Sequence, residues 1–487
     1  MKFYTNVAVL GNQVLVREVV DGVASLRKDD WSPALYVKGN PKDMDQQQFK
    51  TLYGDAVYKI QPGSVRECKD FVEQYKGVAN FEIFGQLDYT LQYCNAYKPT
   101  GWDYKHISAW AIDIETAIPV DETGKTYFPE PDTVDGEILL ITLVNMHTNA
   151  AFTFGSRAYS GEGTHYTHCA NEQQLLKMVL DFWQQRKVDI VTGWNINQFD
   201  LPYIINRVIR VLGEEAAKRL SPWNRVSCRE KEFNGNKEYR TDILGVSCLD
   251  YIELYKKYIF VKQESYSLGH IAQEELGHTK VDHSEFGSFT DFYTKAWDKF
   301  VYYNIKDTTL IKALDDKLKL IELVLTVAYE AKINYESVSS PVKTWDAIIS
   351  NYCLDQGVVL PQQRREPAHS LDGAYVKEPI PGWYYNVVSL DATSLYPSII
   401  MTNNISPETY LGKIDMDIDT FLKKPDLGVD SDKIITPVGA IYDRTKRGIL
   451  PVLVEHFMKL RRDAKNEMLR LEQELELIEQ ELKSRNR

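Results

Sequence analysis

Ala111-Ile112-Asp113-Ile114-Glu115-Thr116 is the stretch on which the reading of this chain turns. Over residues 107 to 115, Trp110, Ile112 and Ile114 alternate with the other set, and a period of two predicts a strand. The alternation puts Asp113 and Glu115 on one face, at the strand's end. Two further acidic segments lie downstream. Gly193-Trp-Asn-Ile-Asn-Gln-Phe-Asp200-Leu-Pro-Tyr203 carries Asp200, between a buried strand predicted at Val188 to Thr192 and an apolar helix start at Leu201 to Ile205. Tyr303-Asn-Ile-Lys-Asp307 lies in residues 296 to 325, where helical spacing sets Tyr303 and Asp307 one turn apart on the same side. Taken singly, each acid reads as a solvated charge or a cap. Together, four carboxylates from three separated elements suit a pair of metal ions that cleaves a phosphodiester.

The three segments, in this order, resemble the exonuclease motifs of family B DNA polymerases, closest to the T-even-type bacteriophage branch. The resemblance implies that Asp113, Glu115, Asp200 and Asp307 bind two divalent ions, Mg²⁺ or Mn²⁺, with two ions per active site. It also implies that Tyr303 orients the attacking water, and that the site removes nucleotides in the 3′→5′ direction as a proofreading exonuclease.

Val387-Val-Ser-Leu-Asp391-Ala-Thr-Ser394-Leu395-Tyr396-Pro-Ser398 begins as an apolar strand and turns at Pro397. A strand ending in a capped turn is the plain reading. The segment resembles the family's first palm motif, which implies that Asp391 is a catalytic, metal-binding residue of the nucleotidyl-transfer site. By the same resemblance the backbone about Ser394 and Leu395 faces the triphosphate, and Tyr396 packs beneath the incoming sugar. Asp372-Gly-Ala-Tyr-Val376 is similar to the loop that couples template handling between the two active sites. Arg461 and Lys465 are four residues apart on a helical stretch, so they share a face on which they can grip a triphosphate. With Lys459 and Arg462 beside them, a solvated charged face is the other reading. In the family, the corresponding helix belongs to the fingers.

A second fingers helix, an Asp-x-Asp palm hairpin and a thumb are expected of the family, and none follows Arg487. Asp415, Asp417 and Asp419 lack the flanking hairpin strands and read as loop acids. One palm carboxylate does not hold two metals, so synthesis is expected to need a second polypeptide that completes fingers, palm and thumb. Met468, Leu471, Leu475, Ile478 and Leu482 recur at spacings of three and four, a heptad stripe that wants a partner helix. Truncation of the chain and self-association of the tail stay open as alternatives.

The 487 residues are 44% hydrophobic and 12% aromatic, which is the composition of a folded chain with several domains. No run reaches the ~20 apolar residues that span a bilayer, and Met1-Lys-Phe-Tyr-Thr-Asn has no signal-peptide core. A cytoplasmic protein is expected, in the host cytoplasm for a bacteriophage. Six scattered cysteines without a Cys-x-x-Cys pair read as reduced thiols. His165, His168 and Cys169 lack a second ligand pair for zinc and read as a loop. The net charge of −12 opposes tight DNA binding by this chain alone.

The expected fold is multidomain α/β and α+β. It comprises a β-rich N-terminal domain (1–106, completed by about 321–360), a ribonuclease-H-like 3′-5′ exonuclease domain (107–320), a partial palm (361–447) and a partial helical fingers segment (448–487). Asn171 is expected to cap a helix burying Leu175, Val179, Phe182 and Trp183, and Asn234-Gly235 to turn a hairpin within Arg229 to Arg240. The resemblance makes that hairpin a part that separates primer from template. A long helix is expected from about Ala313 to Ile333. By resemblance the expected partners are primer-template DNA, dNTPs and, through the missing part, a sliding clamp, with no membrane. Two functional readings remain: the N-terminal part of a replicative DNA polymerase, and a stand-alone 3′-5′ exonuclease with the palm remnant as scaffold. A DNA-binding module without catalysis is disfavoured by the complete acid set.

Overall fold

The computed structural model describes residues 1–39, 48–162, 164–233, 235–278, 281–282, 284–362, 378–416, 421, 423 and 431–485. Two compact units emerge. One comprises Met1–Leu35, Gln61–Val78 and Gln86–Ile348, the other Tyr36–Ile60, Ala79–Gly85 and Ile349–Arg487. Residues 1–106 are thus shared between both units.

The first unit is organised by a six-stranded sheet. Its order is His165–His168, Ala151–Gly155, Ile138–Asn145, Ala109–Thr116, Ile190–Gly193, Ser247–Asp250. The strand Ala109–Thr116 runs antiparallel to Ile138–Asn145 and parallel to Ile190–Gly193, which is parallel in turn to Ser247–Asp250. Both faces are covered, as a sheet with parallel crossovers requires. Trp110, Ile112 and Ile114 join a core with Leu175, Val179, Phe182 and Trp183 of the helix Glu172–Arg186 and with Leu201, Ile204 and Val208 of Asp200–Leu212. Ala109 and Ala111 face the other core, with Phe300, Val301 and Ile305 of the helix Trp297–Leu318. Small side chains here leave room for that helix to cross the strand closely.

Asn171 caps Glu172–Arg186 by accepting from the Gln174 amide at 2.9 Å, as expected. The strands Val226–Phe233 and Asn236–Ile243 form the expected hairpin, closing Phe233 against Asn236 with Gly235 at φ +78°; Asn234 lies outside the described residues. The expected long helix is two: Trp297–Leu318 and Leu320–Ala331, broken at Lys319, which adopts φ +55°.

At the N-terminus, Lys2–Leu10, Gln13–Val20 and Val23–Asp30 make an antiparallel meander. Asp21 and Gly22, both at positive φ, form the two-residue turn that joins its last pair. Arg17 fastens this meander to the main sheet. Its Nε lies 2.7 Å from Asp189 Oδ1, with both side chains buried, and its guanidinium donates to the carbonyls of Lys187, Val188 and Gly245.

In the second unit, Val358–Val359, Gln48–Thr51, Ala56–Ile60, Leu35–Lys38 and Ile83–Phe84 form a sheet in that order. Residues near 360 therefore return to early chain segments. A three-stranded sheet of Tyr410–Lys413, Ala440–Asp443 and Lys433–Ile435 follows, then the helix Ile449–Arg485. That helix is capped by Asn404, Ser406 and Glu408, which accept from the amides of Gly448, Leu450 and Ile449.

The expected strand at Val387–Leu390 does not form. Val387, Val388 and Leu390 are exposed, and Pro397 lies inside the helix Leu395–Thr402 rather than at a turn. A buried strand needs neighbours on its edges, and among the described residues none pairs with 387–390. Proline is tolerated in a first helical turn because the amide it lacks has no helical partner there.

Candidate active site

The strand Ala109–Thr116 buries Ile112, Ile114 and Thr116 and leaves Asp113 and Glu115 half-buried on the opposite face. On one flank Asp113 stands opposite Thr142 and Glu115 opposite Leu140. On the other flank the parallel pairing ends with Ala111 against Thr192, while the acidic strand runs on. Asp200 takes over there: its Oδ1 accepts from the Ile114 amide at 3.1 Å. The third acid is thereby tied to the residue between the first two. Asp200 opens the helix Asp200–Leu212, where the helix dipole favours negative charge. Burial pushes its carboxyl up to about 7, the negative charge of Asp250 adds to this, and the Ile114 N–H holds it down. A cation beside such a group restores the charged form.

The helix Trp297–Leu318 brings the remaining members to the face carrying Asp113 and Glu115. Asn304 and Asp307 are buried, and Asn304 Nδ2 donates to Asp113 Oδ2 at 2.6 Å. Burial raises the Tyr303 phenol well above its usual range, and the charges of Asp307, Glu115 and Asp113 raise it further, with a hydrogen bond to Asp307. Three carboxylates from strand and helix therefore act on one hydroxyl.

The donor set is all oxygen, which suits hard cations such as Mg²⁺ or Mn²⁺. Among the described residues, however, no three His, Cys, Asp or Glu side chains form a metal-ligating group. The two observations concern different distances. A charge is felt across several ångströms, whereas ligation needs oxygens within about 2–2.6 Å of a shared ion. Asp113 is turned to the Asn304 amide and Asp200 to the Ile114 amide.

The other sequence-derived residues lie in the second unit. Asp391 and Tyr396 are exposed, Leu395 begins the helix Leu395–Thr402, and Ser394 precedes it at φ +51°. Arg461 and Lys465 are exposed on one face of Ile449–Arg485. Asp415 is described and lies outside any strand, whereas Asp372, Asp417 and Asp419 lie outside the described residues. Among the described residues all six cysteines are free thiols, and no helix is long and apolar enough to cross a membrane.

Sequence reasoning missed two residues. Asn304 lies inside a quoted segment, one turn before Thr308 and next to Tyr303, but nothing in helical spacing distinguishes an amide that reaches a strand 191 residues away. Asp250 ends the strand Ser247–Asp250 and accepts from the amides of Asn195, Asn197 and Ile252. An acid closing an apolar strand before a helix was its only signal.

Comparison with known proteins gives matches along most of the chain. A family model described as DNA polymerase family B, exonuclease domain, matches residues 55–271, which include Asp113, Glu115 and Asp200. A model described as DNA polymerase family B matches residues 344–482, which include Asp391, Arg461 and Lys465. The DNA-directed DNA polymerase of Escherichia phage RB69 is 31% identical, with 100% of this chain and 56% of the relative aligned. That of Enterobacteria phage T4 is 30% identical over 98% of this chain and 55% of the relative. The DNA polymerase delta catalytic subunit of Bos taurus is 26% identical over 61% of this chain and 27% of the relative. The chain spans about half the length of the two phage relatives.

Proposed function

This chain belongs to DNA polymerase family B, and from that membership we propose that it is the N-terminal part of a DNA-directed DNA polymerase carrying 3′-5′ proofreading exonuclease activity. The observation that carries the exonuclease half is the convergence at Ile114. Asp113 and Glu115 flank it on the strand, Asp200 accepts its amide, and Asp307 with Tyr303 faces the two strand acids. The six-stranded order, with the acid-bearing strand antiparallel to one neighbour and parallel to the other, supports a ribonuclease-H-like domain.

Asp113, Glu115, Asp200 and Asp307 would hold two Mg²⁺ or Mn²⁺ ions. When bound, such ions activate a water and stabilise the leaving 3′ oxygen. Tyr303 positions the attacking water, its own proton held fast by burial and by the surrounding carboxylates. Asn304 holds Asp113 in one rotamer, and the Ile114 amide holds Asp200. The substrate is the 3′ end of a DNA strand, delivered single-stranded past the hairpin Val226–Ile243.

The synthetic half of the proposal assigns Asp391 to metal, Ser394, Leu395 and Tyr396 to the dNTP, and Arg461 and Lys465 to its triphosphate, with primer-template DNA as co-substrate. A second polypeptide supplies the rest of fingers, palm and thumb, and a sliding clamp acts through that part in the host cytoplasm. The exposed apolar run Val387, Val388 and Leu390, which a completed palm would bury, supports this. The domain division 1–106 with 321–360, 107–320, 361–447 and 448–487 belongs to the same proposal. The placement of all the proposed nuclease residues in one compact unit favours, as a second reading, a stand-alone exonuclease with the palm remnant as scaffold.

Changing Asp113 and Glu115 together to Ala should cut hydrolysis of single-stranded DNA by about a thousandfold or more while leaving the circular dichroism spectrum unchanged. Undiminished cleavage by the purified variant would place the nuclease elsewhere. Templated primer extension on adding the complementary C-terminal chain separates the two readings.

A further inference from the structure

Asp250 is 2% exposed and ends the strand Ser247–Asp250. Its Oδ1 accepts from the Ile252 amide at 3.2 Å, which caps the helix Tyr251–Tyr258. A cap needs no other partner, yet this carboxylate accepts two further amides from 55 and 53 residues away. Asn195 donates to Oδ1 and Asn197 to Oδ2, each at 2.9 Å. Both amides belong to the turn 194–199, which joins the strand Ile190–Gly193 to the helix opened by Asp200.

The turn is tightly held. Asn195 adopts φ +66°, the left-handed region that asparagine tolerates better than most residues. At Gly193 a Cβ would lie 2.5 Å from the Ile112 carbonyl oxygen, so backbone meets the acid-bearing strand where the turn begins. The peptide plane between Ile196 and Asn197 then links Asp250 to the candidate active site. Its N–H is the one bound by Asp250 Oδ2. Its C=O accepts from the Leu201 amide at 3.0 Å, and Leu201 directly follows Asp200. Asp200 Oδ1 in turn accepts from the Ile114 amide, between Asp113 and Glu115. A planar peptide held at one edge presents its other edge in a fixed direction.

We propose that Asp250 is a positioning residue for the nuclease: by clamping the Asn195 and Asn197 amides it orients the Ile196 carbonyl, which seats Asp200 against Ile114. Three amide donors occupy its two oxygens, so its part is to hold the turn rather than to meet substrate. The proposal deepens the exonuclease reading above and rests on it for the reaction.

Two variants of the full chain test it near neutral pH. In Asp250→Asn the carboxamide oxygen takes the Oδ1 place, keeping the cap and the Asn195 bond, and its NH2 faces the Asn197 N–H, donor against donor. Asp250→Ser is an equally good cap but too short to reach both turn amides. Amide hydrogen exchange followed by mass spectrometry should quicken about tenfold or more across residues 194 to 201 in both variants, and stay as in the parent over the helix Glu172–Arg186. In both, kcat for hydrolysis of single-stranded DNA should fall about tenfold or more, with KM for DNA nearly unchanged. Unchanged exchange across the turn, exchange that quickens throughout the chain, or a change confined to KM would each overturn the proposal. A parent chain inert towards single-stranded DNA would sink the exonuclease reading and this role with it, whereas cleavage at the parental rate by both variants would sink the role alone.

Discussion

Asn304 Nδ2 donates to Asp113 Oδ2 at 2.6 Å, joining a helix to a strand across 191 residues of sequence. The bond fixes the rotamer of the carboxylate on which the nuclease proposal depends. Asn304→Ala should remove about 1–1.5 kcal/mol of positioning, a drop of roughly tenfold in single-turnover cleavage of single-stranded DNA. Asn304→Asp sets a like charge beside Asp113 and should be worse at low divalent concentration, with partial recovery as Mg²⁺ is raised. An unchanged rate in both variants would show that Asp113 needs no such support.

Tyr303 tests the site from the helix side. Tyr303→Phe keeps the ring's packing against Phe292 but deletes the hydroxyl that faces Asp307, Glu115 and Asp113. The expected result is a fall in kcat of about ten- to a hundredfold, with KM for DNA nearly unchanged. A change confined to KM would make the tyrosine a binding residue.

Asp391 separates the two proposed activities. Asp391→Ala should leave exonuclease cleavage by this chain unaltered, because the nuclease set lies wholly in the other compact unit. With the complementary chain present, the same substitution should abolish templated extension. Loss of exonuclease activity in Asp391→Ala would break the assignment.

The buried pair of Arg17 and Asp189 predicts an asymmetry in stability. Asp189 also accepts from Thr5 Oγ1 and the Ser108 amide, each at 2.8 Å, so its charge is fully embedded. Arg17→Met leaves that charge without its cation and should destabilise the first unit by about 3–5 kcal/mol. Adding Asp189→Asn removes the orphaned charge and should recover much of the loss, read as the urea midpoint of tryptophan fluorescence. No recovery in the double variant would mean that Arg17 acts by packing alone.

Asp250 predicts a pH dependence. Burial pushes its carboxyl up to about 6, chiefly by itself and with help from the charge of Glu253, against the three amides that stabilise the charged form. An unfolded aspartate titrates near 4, so between about pH 4 and 6 the folded chain binds more protons than the unfolded one. Stability from this group is therefore present at low pH and lost as pH rises through that window, by at most about 2–3 kcal/mol. Asp250→Asn should keep the helix cap and flatten this part of the profile relative to the parent chain. Identical profiles for the two proteins would refute it.

The sequence by itself determined what short-range geometry can carry. Alternation placed Asp113 and Glu115 on one strand face, helical spacing placed Tyr303 and Asp307 one turn apart, Asn171 announced a helix cap, and Asn234-Gly235 announced a hairpin. These depend on backbone periods and on bonds between near neighbours, so a stretch of ten residues contains all the causes. The tertiary structure decided where distant groups meet. Asp200 reaches the Ile114 amide because the neighbouring strand stops pairing at Thr192, Asn304 turns to Asp113, and Arg17 finds Asp189. It also decided that Val387–Leu390 finds no pairing strand among the described residues, although its apolar run reads as a strand, and that the helix near 319 breaks. Whether an apolar run becomes a strand depends on edges supplied from elsewhere in the fold, and no local pattern encodes them.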